Sequence, residues 1–385
     1  MIDACILLTI GAPRTTIAGL TVLDRNAAVL FRAGIRRLLV VGNEDDKLVV
    51  RFPRPTPGTT VEHLATVEDA MAIAAGPVAI ASCESIYDPA QVRLTIATVD
   101  ASRHLATATA TAIGAAAAAA AEPRLVVLSQ LHDVRTPAAC QEAERLLFRS
   151  LRKPVDGWVS RNINRYLSLS VTRFLVKTSV TPNQLTIVTS LIGALGVWLV
   201  LRSTWTSVAA GAVLVQLQSV LDGCDGEVAR LKFQSSRFGE WLDNVLDDFV
   251  NIGFGLALGI ASAKLFGSSL YCWLGATAAV SFLAYNSLVY AQLALVHHTG
   301  NPFAFRWWFQ REGADLTRTL GQAGGIGRIG AVLRTLGRRD TFLLCFMLLA
   351  IVRLPHIAVV WYAAVGIADL LLTLAHLVVR IGERR

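Results

Sequence analysis

The chain lacks what would mark a disulfide scaffold, a zinc module or an exported domain. Its six cysteines, Cys5, Cys83, Cys140, Cys224, Cys272 and Cys345, are scattered through 385 residues with no CxxC pair and no histidine at ligand spacing. Neither a disulfide framework nor a zinc site is expected from this spacing. The opening stretch Met1–Arg14 has a short apolar run and no basic flank, so it does not read as a signal peptide, and the first part of the chain is expected to stay in the cytoplasm. Before residue 140 no uninterrupted apolar run reaches spanning length apart from an alanine-rich one. Charged residues are sparse at 17%, yet the formal net charge is +8. The basic residues gather beside apolar spans, which points to cytoplasmic loops and anionic lipid head groups. No RNA- or DNA-binding module is present, and no nucleic-acid partner is expected.

What the chain does have is a concentration of acids beside membrane-length apolar runs. Asp222 and Asp225 are three residues apart, and Asp243 and Asp247 four apart, so each pair projects from one face of its own helix. Ionised carboxylates beside a low-dielectric slab are costly unless paired or metal-bound, and hard oxygen ligands suit Mg²⁺, Mn²⁺ or Ca²⁺ rather than zinc. Small residues at Gly226, Ala229 and Gly239 let helices and a ligand approach closely. Phosphate chemistry is the natural inference.

The full spacing, D-x2-D-G-x2-A-R-x8-G-x3-D-x3-D from Asp222 to Asp247, resembles the signature of the CDP-alcohol phosphotransferases, integral membrane enzymes that make phospholipids and related phosphodiesters. The resemblance implies that two divalent ions, Mg²⁺ or Mn²⁺, are held by Asp222, Asp225 and Asp243. Asp247 is then both an outer metal ligand and the general base that takes the acceptor hydroxyl's proton. Arg230 contacts nucleotide phosphate, and Gly226, Ala229 and Gly239 line the cytidine and diphosphate path. The implied reaction moves a substituted phosphoryl group from a CDP-alcohol donor to an acceptor hydroxyl and releases CMP. A homodimer among membrane lipids is the implied assembly.

The first 143 residues alternate short β-like runs (Ala4–Ile10, Arg37–Val41, Lys47–Arg51, Val78–Ser82, Arg93–Thr98, Arg124–Ser129) with helical segments. This alternation predicts an α/β, Rossmann-like layer structure with a largely parallel sheet. The segment from Leu23 to Gly42 reads as an amphipathic helix, a stop at Gly34 and a buried strand, and it resembles the start of sugar-phosphate nucleotidyltransferases. The corresponding phosphate loop, Ile10–Arg14, holds one glycine and no Pro-Lys pair follows before Leu23, so an inactive nucleotidyltransferase-like domain is expected. Glu84 and Asp88 are the nearest substitutes for that family's metal-binding acid. The alanine run Ala115–Ala121 reads as a surface helix.

Residues 144–180 are basic and amphipathic, as expected of a helix in the membrane interface. From 181 to 385 the chain reads as an all-α polytopic domain of about six transmembrane helices: Asn183–Leu201, Ser207–Val220, Trp241–Ala263, Leu270–Val296, Thr341–Val352 and Ile357–Val379. Arginines crowd the connection after the fourth span, including Arg306, Arg311 and Arg339, which puts both termini and the acids on the cytoplasmic side of the cell's inner membrane. Pro182-Asn183 before the first span and Lys153-Pro154-x-Asp156-Gly157 upstream resemble family members acting on inositol phosphates, and bring Asn183 into the expected nucleotide site. The whole layout resembles fused inositol-phosphate cytidylyltransferase and di-inositol-phosphate phosphate synthase proteins. An inositol phosphate or another polyol phosphate is therefore the expected acceptor, with Lys232, Arg237, Arg306 and Arg311 as candidates to bind it. Trp307 and Trp308 read as interface anchors, and His297 and His298 as an exposed span end. Asp248 departs from the arginine commonly found after the fourth acid in those relatives; an acid there repels a phosphorylated acceptor unless it turns away. The alternatives are an active cytidylyltransferase in the first domain, a phospholipid synthase using glycerol phosphate or serine, and a non-catalytic CDP-alcohol-binding scaffold.

Overall fold

The computed structural model describes residues 4–11, 14–42, 59–74, 78–102, 125–128, 130–152, 157–297 and 337–383. They divide into two compact units, Met1–Leu151 with Leu231–Phe233, and Arg152–Arg230 with Gln234–Arg385.

In the first unit, strands β1 (Ala4–Gly11), β2 (Arg37–Val41), β3 (Thr60–Leu64), β4 (Val78–Cys83) and β5 (Leu125–Val127) form one sheet in the order β3-β2-β1-β4-β5. Every neighbouring pair is parallel. Side chains alternate across β1: Cys5 and Leu7 enter one core with Leu30, Leu38 and Ile86, while Ile6 and Leu8 enter another with Leu39 and Ile80. Both faces are thus covered, as a parallel sheet requires. Helix α1 (Val22–Ala33) starts at Thr21, whose hydroxyl accepts the Asp24 amide hydrogen bond at 3.1 Å, and stops at Gly34 with φ of 106°. That left-handed conformation favours glycine. Helices α2 (Val67–Ile73), α3 (Pro89–Ser102) and α4 (Pro137–Ser150) follow.

One expectation needs correction here, and one strand escapes the sequence reading. The β-branched run Arg93–Thr98 is not a strand but lies within α3. Asp88 Oδ1 accepts hydrogen bonds from the amides of Ala90 and Gln91 at 2.9 and 3.0 Å, and proline suits the first helical position. Val92 and Ile96 are then buried four residues apart, a helical rather than a strand period. Conversely, β3 carries the half-polar Thr60-Val-Glu-His-Leu64, which escapes a search for apolar runs because it lies at the sheet edge. Lys47–Arg51 and Ala115–Ala121 lie outside the described residues.

The second unit is helical. A π-helical turn, Ser160–Asn164, leads into α5 (Arg165–Leu175), followed by α6 (Pro182–Leu201), α7 (Trp205–Leu221), α8 (Gly223–Leu231), α9 (Arg237–Phe266), α10 (Leu270–Gln292), α11 (Arg339–Ile351) and α12 (Pro355–Glu383). Leu231, the last residue of α8, falls in the first unit. Among the described residues five helical stretches are long and apolar enough to cross a membrane: Pro182–Leu201, Trp205–Leu231, Arg237–Phe266, Leu270–Val296 and Pro355–Val379. The 13 residues of α11 fall short of the roughly 20 that a span needs.

The start of α6 is a reciprocal cap. Thr181 Oγ1 accepts from the Gln184 amide at 3.4 Å and Gln184 Oε1 accepts from the Thr181 amide at 3.0 Å, with Pro182 at the first helical position. Where α6 crosses α7, a Cβ on Gly196 would meet the Gly211 carbonyl oxygen at 2.7 Å, and where α9 crosses α10, one on Gly259 would meet Gly275 Cα at 2.8 Å. Helices that cannot use the hydrophobic effect against lipid rely on such close packing.

Candidate active site

Two local devices aim the acids. Ser236 caps α9 by accepting the Gly239 amide hydrogen bond at 3.0 Å, so Gly239, Asp243 and Asp247 follow at four-residue intervals along one face. The end of α7 and the short α8 present Asp222, Asp225, Gly226 and Ala229 on one face in the same way. These two faces, with Asn183 from the first turn of α6 and Arg230, line a cavity of about 650 Å³. All nine residues expected from the sequence at the metal and nucleotide site, Asn183, Asp222, Asp225, Gly226, Ala229, Arg230, Gly239, Asp243 and Asp247, therefore meet around one space.

A Cβ on Gly226 would touch nothing within 4 Å, whereas one on Gly239 would meet Asn183 Oδ1 at 2.9 Å. Gly226 thus leaves room inside the cavity, and Gly239 brings the α9 backbone against Asn183. Asp222, Asp225 and Asp243 each bring a carboxylate oxygen within 4.8 Å of the others. Asp243 Oδ1 is buried and accepts no hydrogen bond. Three converging hard oxygen ligands, one of them an orphaned buried acceptor, fit a divalent cation of the Mg²⁺ type.

Four partners of this site escape a reading of the motif. Thr186 of α6 donates its hydroxyl to Asp225 Oδ2. Gln218 of α7, 2% exposed, donates to Asp247 Oδ1 at 2.7 Å. Arg339, at the start of α11, donates to Asp222 Oδ2 at 2.7 Å and to Asp247 Oδ2. Glu227 is fully buried against α5. Nothing local announces Arg339, because it lies 117 residues from Asp222 and follows many other arginines in the sequence. A second polar cavity of about 140 Å³ shares Asp222 and Arg339 with the first and adds Ser160, Asn164, Arg165 and Ser168.

Asp248 lies one residue past Asp247 and so about 100° round the helix. It does not line the cavity, and its Oδ2 accepts from the Tyr290 hydroxyl. The like-charge repulsion expected of it is turned aside. Of the acceptor candidates, neither Lys232 nor Arg237 lines either cavity; Arg306, Arg311, Trp307, Trp308 and His298 lie outside the described residues, and His297 ends a π-helical turn after α10. In the first unit, both Asp88 carboxylate contacts named above are to the α3 amides, a capping role.

The unit with membrane-length helices thus holds a carboxylate-lined cavity at its helix ends, and sequence comparison places that part of the chain beside a known family. Residues 179–336 match the CDP-alcohol phosphatidyltransferase family, so this part of the chain carries a domain of that type. The chain is similar to the bifunctional IPC transferase and DIPP synthase of Aquifex aeolicus, 42% identical over 127 residues, which are 33% of this chain and 28% of that protein. Its similarity to the protein of the same description from Thermococcus kodakarensis is 40% over 131 residues, 34% of this chain and 29% of the relative. For Rubrobacter xylanophilus the figures are 37% over 152 residues, 39% and 34%. The matched part thus spans about a third or less of each of these curated relatives.

Proposed function

We propose that this protein is a metal-dependent membrane CDP-alcohol phosphotransferase that joins a CDP-linked alcohol to the hydroxyl of a phosphorylated polyol and releases CMP. The observation that carries this reading is the meeting of Asp222, Asp225, Asp243 and Asp247 with Arg230, Gly226 and Gly239 around one cavity. Asp222, Asp225 and Asp243 would hold the two divalent ions, with Asp247 as an outer ligand. Bound there, such an ion neutralises charge on the diphosphate and on the leaving oxygen.

Arg230 grips nucleotide phosphate with its planar guanidinium, and Gly226, Ala229, Gly239 and Asn183 shape the nucleotide path. Asp247 accepts the proton of the attacking hydroxyl. The acceptor oxygen bonds to the phosphorus farther from cytidine, the bond from that phosphorus to the CMP oxygen breaks, and CMP leaves with the bonding pair.

An inositol phosphate is the favoured acceptor, for two reasons. The relatives named above are described as IPC transferase and DIPP synthase, and Arg339 and Arg165 flank the smaller cavity beside Asp222, where paired guanidinium groups suit a phosphomonoester. In this reading the membrane-length helices span the inner membrane with both termini cytoplasmic, the 144–180 region lies at the interface, residues 1–143 are an inactive nucleotidyltransferase-like domain, and a homodimer is the working unit. The test is CMP release by protein in liposomes with Mg²⁺, with CDP-alcohol donors set against inositol phosphate, glycerol phosphate and serine. Release with inositol phosphate alone supports the reading, and release only with another acceptor replaces the substrate.

A further inference from the structure

We infer that Glu227 is a positioning residue for the metal site, a buried strut by which α5 fixes the rotation and depth of α8, the helix that carries Asp225 and begins directly after Asp222. The inference rests on the metal reading above. Helix α8 has two faces. Asp225, Gly226 and Ala229, with Asp222 directly before the helix, look into the large cavity, whereas Gly223, Cys224 and Glu227 look at α5. A Cβ on Gly223 would meet Arg165 Nη1 at 3.3 Å and Ser168 Oγ at 3.5 Å, and Cys224 Sγ lies 3.5 Å from the Ser168 carbonyl oxygen. These are positions that the acid motif leaves unspecified, and here they fasten the helix.

Glu227 is the centre of that fastening. Its carboxylate is 0% exposed and takes three donors from one stripe of α5. Arg165 Nη1 reaches Oε1 at 2.7 Å, Ser168 Oγ reaches Oε1 at 2.7 Å, and Thr172 Oγ1 reaches Oε2 at 2.6 Å. Residues 165, 168 and 172 recur at helical spacing, so the three donors approach from successive turns. A buried ion pair is a poor device for stability alone, since well-packed apolar side chains of the same volume commonly do as well or better. What three directional bonds add is register. With Gly223 and Glu227 both held, one turn apart, Asp225 between them has little freedom to rotate about the α8 axis, and the placement of its carboxylate against Asp243 follows. Glu227 has no access to either cavity, so it acts through the helix and not on substrate.

The experiment compares full-length wild type with Glu227→Met and Glu227→Gln in detergent. Each protein is checked as monodisperse, then titrated with Mn²⁺ read by loss of the free-ion electron paramagnetic resonance signal, with the Mg²⁺ dependence of CMP release alongside. Wild type binds Mn²⁺. Folded Glu227→Met binds it about tenfold more weakly, the size of effect seen when groups that orient metal ligands are lost, and Glu227→Gln falls between. Should Glu227→Met fail to fold, Ser168→Ala and Thr172→Val each remove one donor and shift affinity the same way by a smaller factor. Wild-type Mn²⁺ affinity in the folded Glu227 variants, or in both donor variants, overturns the strut. Failure of wild type itself to bind Mn²⁺ overturns the metal reading and the strut with it.

Discussion

The two units use their aspartates in opposite ways. In the α/β unit Asp24 and Asp69 accept hydroxyl hydrogen bonds from Thr21 and Thr66 three residues earlier, each at 2.7 Å, and Asp88 caps α3 through amides two and three residues on. Asp133 pairs with Arg135 at 2.6 Å, and that guanidinium holds its carboxyl below the usual carboxylate range. In the helical unit the partners are remote in sequence: Gln218 to Asp247 spans 29 residues, Thr186 to Asp225 spans 39, and Arg339 reaches back 92 to Asp247 and 117 to Asp222. Local pairs form wherever a helix begins and are cheap to make. Bringing several carboxylates together from distant helices costs several kcal/mol per buried charge unless something compensates, and the proposed cation is what compensates here.

The contrast can be broken most severely by removing the proposed metal. Chelation with EDTA is expected to abolish CMP release, and Mg²⁺ or Mn²⁺ in excess to restore it; release that persists in EDTA breaks the metal reading. Next in size is Asp247→Asn, which removes the proposed base while keeping the shape and is expected to lower kcat by about 10²–10⁴-fold, measured at saturating donor and acceptor. Arg339→Ala should weaken acceptor binding by about 1.5–3 kcal/mol, the range for hydrogen bonds to charged groups. It is read as a raised KM for the acceptor with the donor KM held, and Arg339→Lys should recover only part, lacking the planar fork. The smallest effect is expected in the other unit. Asp88→Ala removes a cap worth about 1 kcal/mol, seen as a lower unfolding midpoint, with CMP release by the folded protein unchanged. A fall in CMP release would show that the first unit's acids do more than capping.

The acids were legible in the sequence because helical spacing converts directly into a shared face. Asp222, Asp225, Asp243, Asp247 and the small residues between them fall on the two faces that their intervals dictate. The parallel sheet was legible for the same reason, since β1, β2 and β4 are apolar on both faces. Arg93–Thr98 misled because β-branched residues outweighed the Asp88-Pro89 start signal, which only the amide contacts reveal. Arg339, Gln218 and Thr186 were illegible as site residues for a different reason: each is brought to its acid by tertiary packing of α11, α7 or α6, and no local period encodes that. Asp248 shows the converse. Its sequence neighbourhood predicts repulsion at the site, whereas one step around the helix hands it to Tyr290.

The most direct test of the central claim is CMP release from a CDP-alcohol by wild type and Asp247→Asn in liposomes, with and without Mg²⁺ and an inositol phosphate acceptor. CMP appearing only with wild type, metal and acceptor together is the predicted result. Binding of the CDP-alcohol with no CMP from any donor and acceptor pair would contradict it and leave a membrane scaffold in place of an enzyme.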